Sequence, residues 1–369
     1  MARSHLTLAA LATSAVAGLD VAGARSYSYG SQGDFDAALL TGRDGRELII
    51  RVPTAQAAET EQSADLIALA SLSAGIRARL PFSVPTYVGQ APLNGTRAVV
   101  YDFLPGAKVT LADIAAGEGL ATSLGGAIAA VHSLPSGFIG ETGLPVLTAA
   151  ECHDSTAALI ANAAATRMLP VTLRDRWERA TDDGALWQFQ PTVINGALSV
   201  DSFLVEQEHV VGVLGWAALR VGDPARDLHW LLGLRSDAAQ SALDAYAAAR
   251  RISTDKQFSQ RAMLYAELEI ARWLLHGREV HQQAIVDDAV QMLDGLVDRV
   301  RSEGSTRLAP ETGPIMQVAD VEAMLKQTPG DRPGSAQDGH SNGLKPVTED
   351  PAGEEFATDD HTPINSSSE

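Results

Sequence analysis

The sequence predicts an α+β protein of two lobes, a small β-rich N-lobe and a larger helical C-lobe, followed by a disordered tail. Three observations carry this. Strand-like runs such as Glu47–Pro53 and Ala98–Phe103 lie in the first hundred residues, apart from a patch between Thr192 and Leu219. Between Leu111 and Val300, apolar residues recur mostly at helical spacing. Near Gly304 the composition turns acidic and rich in Gly, Pro, Ser and Thr. The expected boundaries are 1–103 for the N-lobe, 104–303 for the C-lobe and 304–369 for the tail. A sheet-rich lobe beside a helical one implies a cleft between them.

The elements follow in order. Leu6, Leu8, Leu11, Ala12 and Val16 mark an amphipathic helix leading into the fold. A signal peptide is the weaker reading, because the charged start is thin and no clean cleavage signal follows. Glu47–Pro53 is a strand entered through the turn Asp44-Gly45-Arg46. A helix spans Ala57–Leu72, strands are expected at Ser83–Gly89 and Ala98–Phe103, and Leu104-Pro105-Gly106 punctuates the chain. Helices are then expected at Leu111–Ala115, Ala121–Ser133, Thr148–Ala165 and Leu173–Thr181. A β segment covers Thr192–Ile194 and Phe203–Leu219. Two further helices fill Asp255–Arg301, with Gly277 as the break between them. The tail carries net charge −8 and one aromatic residue, Phe356, too little apolar surface to offset its ordering entropy. Within it, Val318, Val321 and Leu325 would share one face of a short helix.

Composition narrows the function classes. The 369 residues carry formal net charge −18, which argues against nucleic acid and anionic membranes as partners and leaves a small molecule or a protein. No run approaches 18 uninterrupted apolar residues, so no transmembrane helix is expected. The single cysteine, Cys152, forbids an intrachain disulfide framework and suits the cytoplasm. There is no internal repeat, no P-loop, no metal-spaced Cys/His cluster and no Gly-x-Ser-x-Gly elbow.

The most specific stretch runs from Thr192 to Leu232. It contains Val193-Ile194-Asn195-Gly196-Ala197-Leu198, then Ser202-Phe203-Leu204-Val205, Val213-Leu214-Gly215-Trp216 and Gly222-Asp223-Pro224-Ala225-Arg226-Asp227-Leu228. This series resembles the aminoglycoside and macrolide phosphotransferase family, which has the protein-kinase-like fold. In that family these segments read His-Gly-Asp-Leu-x-x-x-Asn, Val-Ile-Asp-Trp and Gly-Asp-Pro-x-x-Asp-Leu. The likeness extends outward over most of residues 1–303. Leu48–Pro53 resembles the strand that carries the phosphate-contacting cation. Ala98–Gly106 resembles the hinge strand and the turn into the large lobe. Leu124–Pro135 resembles the helix ending in a Leu-His pair.

The resemblance implies ATP-dependent phosphoryl transfer, in which an Asp takes the acceptor proton while an Asn and a second Asp hold Mg²⁺ on the phosphates. The corresponding positions here are Ala197, Ser202 and Gly215, and Asn195 stands for the leading His. Alanine offers no lone pair, serine a neutral hydroxyl and glycine no side chain, so a hard dication loses both the carboxylate and the carboxamide that would hold it. Asp201 is the candidate substitute acid, against the plainer reading of a turn residue. Asp223 and Asp227 match positions expected to brace the large lobe. Arg51 stands for the strand cation, or is a surface residue at a strand end. Asp65 is its expected helix partner, with Glu61 one turn earlier as the alternative. Tyr101 and Phe103 fall on the hinge strand, where a nucleotide would lie. Tyr29-Gly30-Ser31-Gln32-Gly33 would be the phosphate-covering turn.

The resulting expectation is a phosphotransferase-like pseudoenzyme acting as a binding or regulatory module. The alternative is an active small-molecule kinase with relocated catalytic groups. No cofactor is certain; ATP is a candidate, metal-free binding of a phosphate is open, and Mg²⁺ is not expected.

Overall fold

Helix α1 (His5–Ala15) starts at Ser4, whose Oγ accepts the Thr7 N–H and satisfies one of the helix's orphan donors. The helix buries Leu8 and Ala12 against one face of an antiparallel sheet. The sheet contains β1 (Val21–Ser26), β2 (Phe35–Gly42), β3 (Glu47–Pro53), β4 (Tyr87–Leu93) and β5 (Thr96–Asp102), in the order β1-β2-β3-β5-β4. The computed structural model describes residues 3–27, 34–93, 95–117, 119–234, 236–251, 257–302 and 308. The glycine turn proposed at 29–33, the acidic tail except Leu308 and its short helix therefore lie outside the described residues.

The period-two alternation of β3 sorts the N-lobe into two cores. Leu48, Ile50 and Val52 join Ala38, Leu40, Ala98 and Val100 beneath α1. Ile49 turns the other way, with Val99 and Tyr101 of β5, and joins the core shared with the C-lobe. Arg51 has the same parity as Ile49, which aims it at the space between the lobes. Helix α2 (Gln56–Ser71) closes that side by burying Asp65, Ala68 and Leu69, and α3 (Ala74–Arg77) follows.

The C-lobe begins with α4 (Leu120–His132), α5 (Gly137–Glu141), α6 (Ala149–Ala165) and α7 (Val171–Asp182). Four short strands follow as two antiparallel pairs. β6 (Thr192–Ile194) pairs with β9 (Arg220–Gly222), and β7 (Phe203–Glu206) pairs with β8 (His209–Val213). Helices α8 (Ser236–Arg250), α9 (Phe258–Glu279) and α10 (Gln283–Ser302) complete the lobe. Trp177 and Leu173 of α7 pack with Leu264, Leu268 and Leu293 in a second core. Arg176 donates to Glu267 at 2.9 Å inside it, and Trp177 Nε1 donates to the same carboxylate at 2.7 Å, so the buried charge is paired and hydrogen-bonded.

Several expected elements differ. The segment expected as β from Ser83 begins as a strand only at Tyr87, while Ser83 bridges to Gly212. The segment Phe203–Leu219 is two strands split by a tight turn, with positive φ at Gln207 and Glu208, and residues 214–219 lie outside any strand. The segment from Leu111 is a single 3₁₀ turn. Gly277 does not break a helix. It lies buried inside α9, where an added Cβ would come within 3.0 Å of the Val286 N of α10, so glycine serves close helix packing. Strands β1 and β2 and helix α8 were not foreseen. β1 has no clean apolar alternation, and α8 buries mainly alanines, which barely register as periodicity.

Candidate functional site

Between the lobes lies a cleft of about 720 Å³. β3 and β5 supply Ile49, Arg51 and Tyr101, α2 supplies Glu61 and Asp65, and the loops after β6 and β8 supply Ala197, Asp201, Ser202 and Gly215. The structure thus gathers on one cavity Arg51, Asp65 with its alternative Glu61, Tyr101, Ala197, Asp201, Ser202 and Gly215. Phe103 and Asn195 do not line it. The Phe103 ring packs edge-on against Tyr27 at 5.8 Å, and its N–H is spent on the Glu47 carbonyl.

Asn195 is fully buried and acts on the loop itself. Its Nδ2 donates to the Gly215 carbonyl at 2.9 Å, and its Oδ1 accepts the Ala197 N–H at 3.2 Å. One side chain therefore ties the two cleft-floor loops together. Asp227 holds the same loop from below by accepting the N–H groups of Asn195 and Gly196, each at 2.7 Å. Buried His132 lies between Asp227 and the Tyr246 hydroxyl. Gly196 has φ +85°, and a Cβ there would meet the Ala218 carbonyl at 2.5 Å. Only glycine fits. Asp223 accepts from Arg261 at 2.7 Å and from the Tyr265 hydroxyl at 3.1 Å. Both aspartates therefore brace the large lobe.

The floor itself carries little chemistry. Ala197 and Gly215 are exposed to the cleft, Gly215 at φ +71°. Ser202 Oγ accepts the Ser199 N–H within its own 3₁₀ turn. These residues do not fit the Mg²⁺ that the resemblance implies, because the donor set is one engaged neutral hydroxyl and no carboxylate. Among the described residues no group of three His, Cys, Asp or Glu side chains is placed to hold a metal. Asp201 lines the cleft and is exposed; its carbonyl accepts from the Lys108 ammonium.

The α2 acid does not grip the strand cation. Asp65 Oδ1 accepts the Trp216 N–H at 2.7 Å, fastening α2 to the residue after Gly215. Burial pushes its carboxyl above the ordinary range, against the pull of that N–H and of Arg51. Arg51 instead stacks over the Phe35 ring at 3.9 Å, a diagonal cross-strand contact. Sequence reasoning missed Lys108, two residues beyond Gly106. Burial depresses its ammonium to about 8, with Asp201 opposing and Arg51 adding to the shift. Nothing in the local pattern distinguishes this lysine; only the fold returns it to the cleft. Burial pushes the Cys152 thiol up to about 11, which leaves it a poor nucleophile.

A sheet-rich lobe and a helical lobe meeting at a cleft whose floor is the loop after β6 define the two-lobed protein-kinase-like fold. Residues 29–296 match the phosphotransferase enzyme family, and the chain belongs to it. Uncharacterized protein YcbJ of Bacillus subtilis (strain 168) is 26% identical over 199 residues, which span 53% of this chain and 65% of that protein. Among solved structures, macrolide 2'-phosphotransferase MphH from Brachybacterium faecium superposes with TM-score 0.65 at 24% identity, covering 78% of this chain and 97% of that one. The GDP complex of wild-type aminoglycoside 2'-phosphotransferase-IIIa gives TM-score 0.65 at 19% identity, over 79% of this chain and 98% of that one. At these identities the likeness is one of fold. No described helix is long and apolar enough to cross a membrane.

Proposed function

We propose that this chain is a catalytically impaired phosphotransferase-family protein that works by binding, using the cleft between its lobes to hold a small molecule or present itself to a protein partner in the cytoplasm. One observation carries the reading. The side chains that would take a proton and hold Mg²⁺ are absent from a floor whose backbone is nevertheless held in place by Asn195 and Asp227. A general base adds about 10²–10⁴ to a rate, and its loss alone would leave residual turnover. Losing the metal-holding Asp and Asn as well removes the neutralisation that phosphoryl transfer depends on. The buried, unactivated thiol of Cys152 supports the reducing compartment.

The test is phosphotransfer from Mg·ATP to a panel of aminoglycosides and macrolides, with the Asp201→Ala variant in parallel. The expected result is no transfer above the protein-free rate. Mg²⁺-dependent turnover lost in D201A would establish the alternative, an active kinase in which Asp201 has taken over the missing role.

A further inference from the structure

Helix α2 has a second face that the cleft does not use. Glu61 and Asp65 line the cleft, whereas Leu66, Ile67 and Ala70 line a separate cavity of about 650 Å³ on the N-lobe. Leu66 and Ile67 each lie one turn before Ala70, so the three share a stripe of the helix. Arg77 of α3, Tyr87 of the edge strand β4 and Arg97 of β5 stand around them. Two large side chains at this cavity remain in water, Ile67 at 58% and Tyr87 at 45% exposed. One exposed isoleucine is ordinary; two large residues beside one concavity mark a surface that another molecule can cover.

Charge is a second, independent observation. Arg77 and Arg97 line the cavity and no Asp or Glu does, in a chain of formal net charge −18. Arg77 is held in place by donating to the carbonyls of Leu69, Leu72 and Val84. Arg97 donates to Ser63 Oγ at 2.8 Å. These partners are neutral, and among the described residues neither guanidinium meets a carboxylate. The cavity therefore offers fixed positive charge beside apolar surface, and a partner need not meet the cost of ordering those cations.

Together the two features select one kind of occupant. A small inorganic anion would leave Leu66 and Ile67 in water. Nucleic acid or an anionic membrane would find two cations here and repulsion from the rest of a strongly acidic chain. A peptide with an apolar side chain flanked by carboxylates meets both demands: the anchor fills the cavity and the acids face the arginines. We propose that this N-lobe groove is a docking site for an acidic peptide segment of a partner protein, anchored by an aromatic or large aliphatic side chain between α2 and β4. The groove is separate from the cleft, so the inference goes beyond the reading of the cleft and does not stand or fall with it.

The experiment pans a phage-displayed library of random dodecapeptides against the immobilised full chain. Recovered peptides are synthesised and titrated by fluorescence polarisation. The enriched peptides are expected to be net negative and to carry at least one aromatic or large aliphatic residue, and their affinity should fall as salt is added. Ile67→Ser and Arg97→Glu should each weaken binding about tenfold or more, while Arg97→Lys keeps most of it. Met292→Ser alters another exposed apolar residue, 45% exposed on α10, and should change nothing. Melting temperatures of the peptide-free variants separate lost affinity from lost folding, and Ile67 is exposed enough for I67S to fold. The proposal is overturned if no peptide is enriched, if the enriched peptides are neutral or basic, or if I67S and R97E both bind them as tightly as the unaltered chain. Concentration-dependent self-association that I67S abolishes would make the occupant a second copy. Binding of a synthetic peptide of residues 349–361 that I67S and R97E weaken would make it an acidic segment of this same sequence. Either result replaces the partner protein and overturns the assignment.

Discussion

The layer beneath the cleft floor and the floor itself lie a few residues apart in sequence and obey different rules. Beneath, the buried aspartates are paired. Asp227 satisfies two backbone N–H groups and faces His132, and Asp223 meets Arg261 and Tyr265. On the floor, Ala197 and Gly215 offer no polar side chain, and the Ser202 hydroxyl is turned back into its own loop. The lesson is that the loop is held in shape by groups that never touch a reacting atom. Its conformation therefore survives the loss of the chemistry-bearing side chains.

Substitutions can break or sharpen this contrast. The largest effect is expected from Asp223→Ala, which leaves the Arg261 guanidinium fully buried without its carboxylate; chemical denaturation of the full chain should show a loss of about 3–5 kcal/mol. A loss under 1 kcal/mol would mean that the layer is not a brace.

Next comes Asp65, which links α2 to the floor. Asp65→Ala orphans the Trp216 N–H and should cost about 1–3 kcal/mol. Asp65→Asn keeps an acceptor and should cost little. The sign with pH follows from the raised carboxyl. The folded state holds that proton more tightly than the unfolded chain, so the stabilisation is complete at low pH and fades as pH rises through the folded value. Wild-type stability should therefore decline relative to D65N as pH climbs above the ordinary carboxylate range. Parallel curves would contradict the assignment of that shift to burial.

The smallest effects belong to the floor. Gly215→Asp enters open space, and its penalty should be only the left-handed backbone, about 1 kcal/mol for a residue type that tolerates it. Ala197→Asp, exposed to the cleft, should change stability by no more than about 0.5 kcal/mol. If A197D unfolds the protein, the floor is part of the frame and the contrast fails. If the two substitutions are tolerated together, the variant should bind nucleotide with a stronger Mg²⁺ dependence than the unaltered chain, measured by calorimetric titration of both with ATP in EDTA and in excess Mg²⁺.

The local pattern of residues was enough to place Glu47–Pro53 as a strand, Thr192–Ile194 as another, and α2, α4, α6 and α7 to within two residues at either end. Long apolar periodicity and the Gly-Asp-Pro-Ala-Arg-Asp-Leu series are local signals, set by which face of an element must leave water. The residues that lost their chemistry were legible for the same reason, since each sits at a fixed spacing from an apolar frame. Tertiary structure decided the pairings. Asp65 was expected to face Arg51 and instead holds the Trp216 N–H, because a buried backbone donor 151 residues away needs an acceptor more than a stacked guanidinium does. Asn195, expected at a catalytic position, is a clamp between two loops. Lys108 enters the cleft only because distant segments close around it. Such contacts depend on long-range approach, which no spacing along the chain encodes.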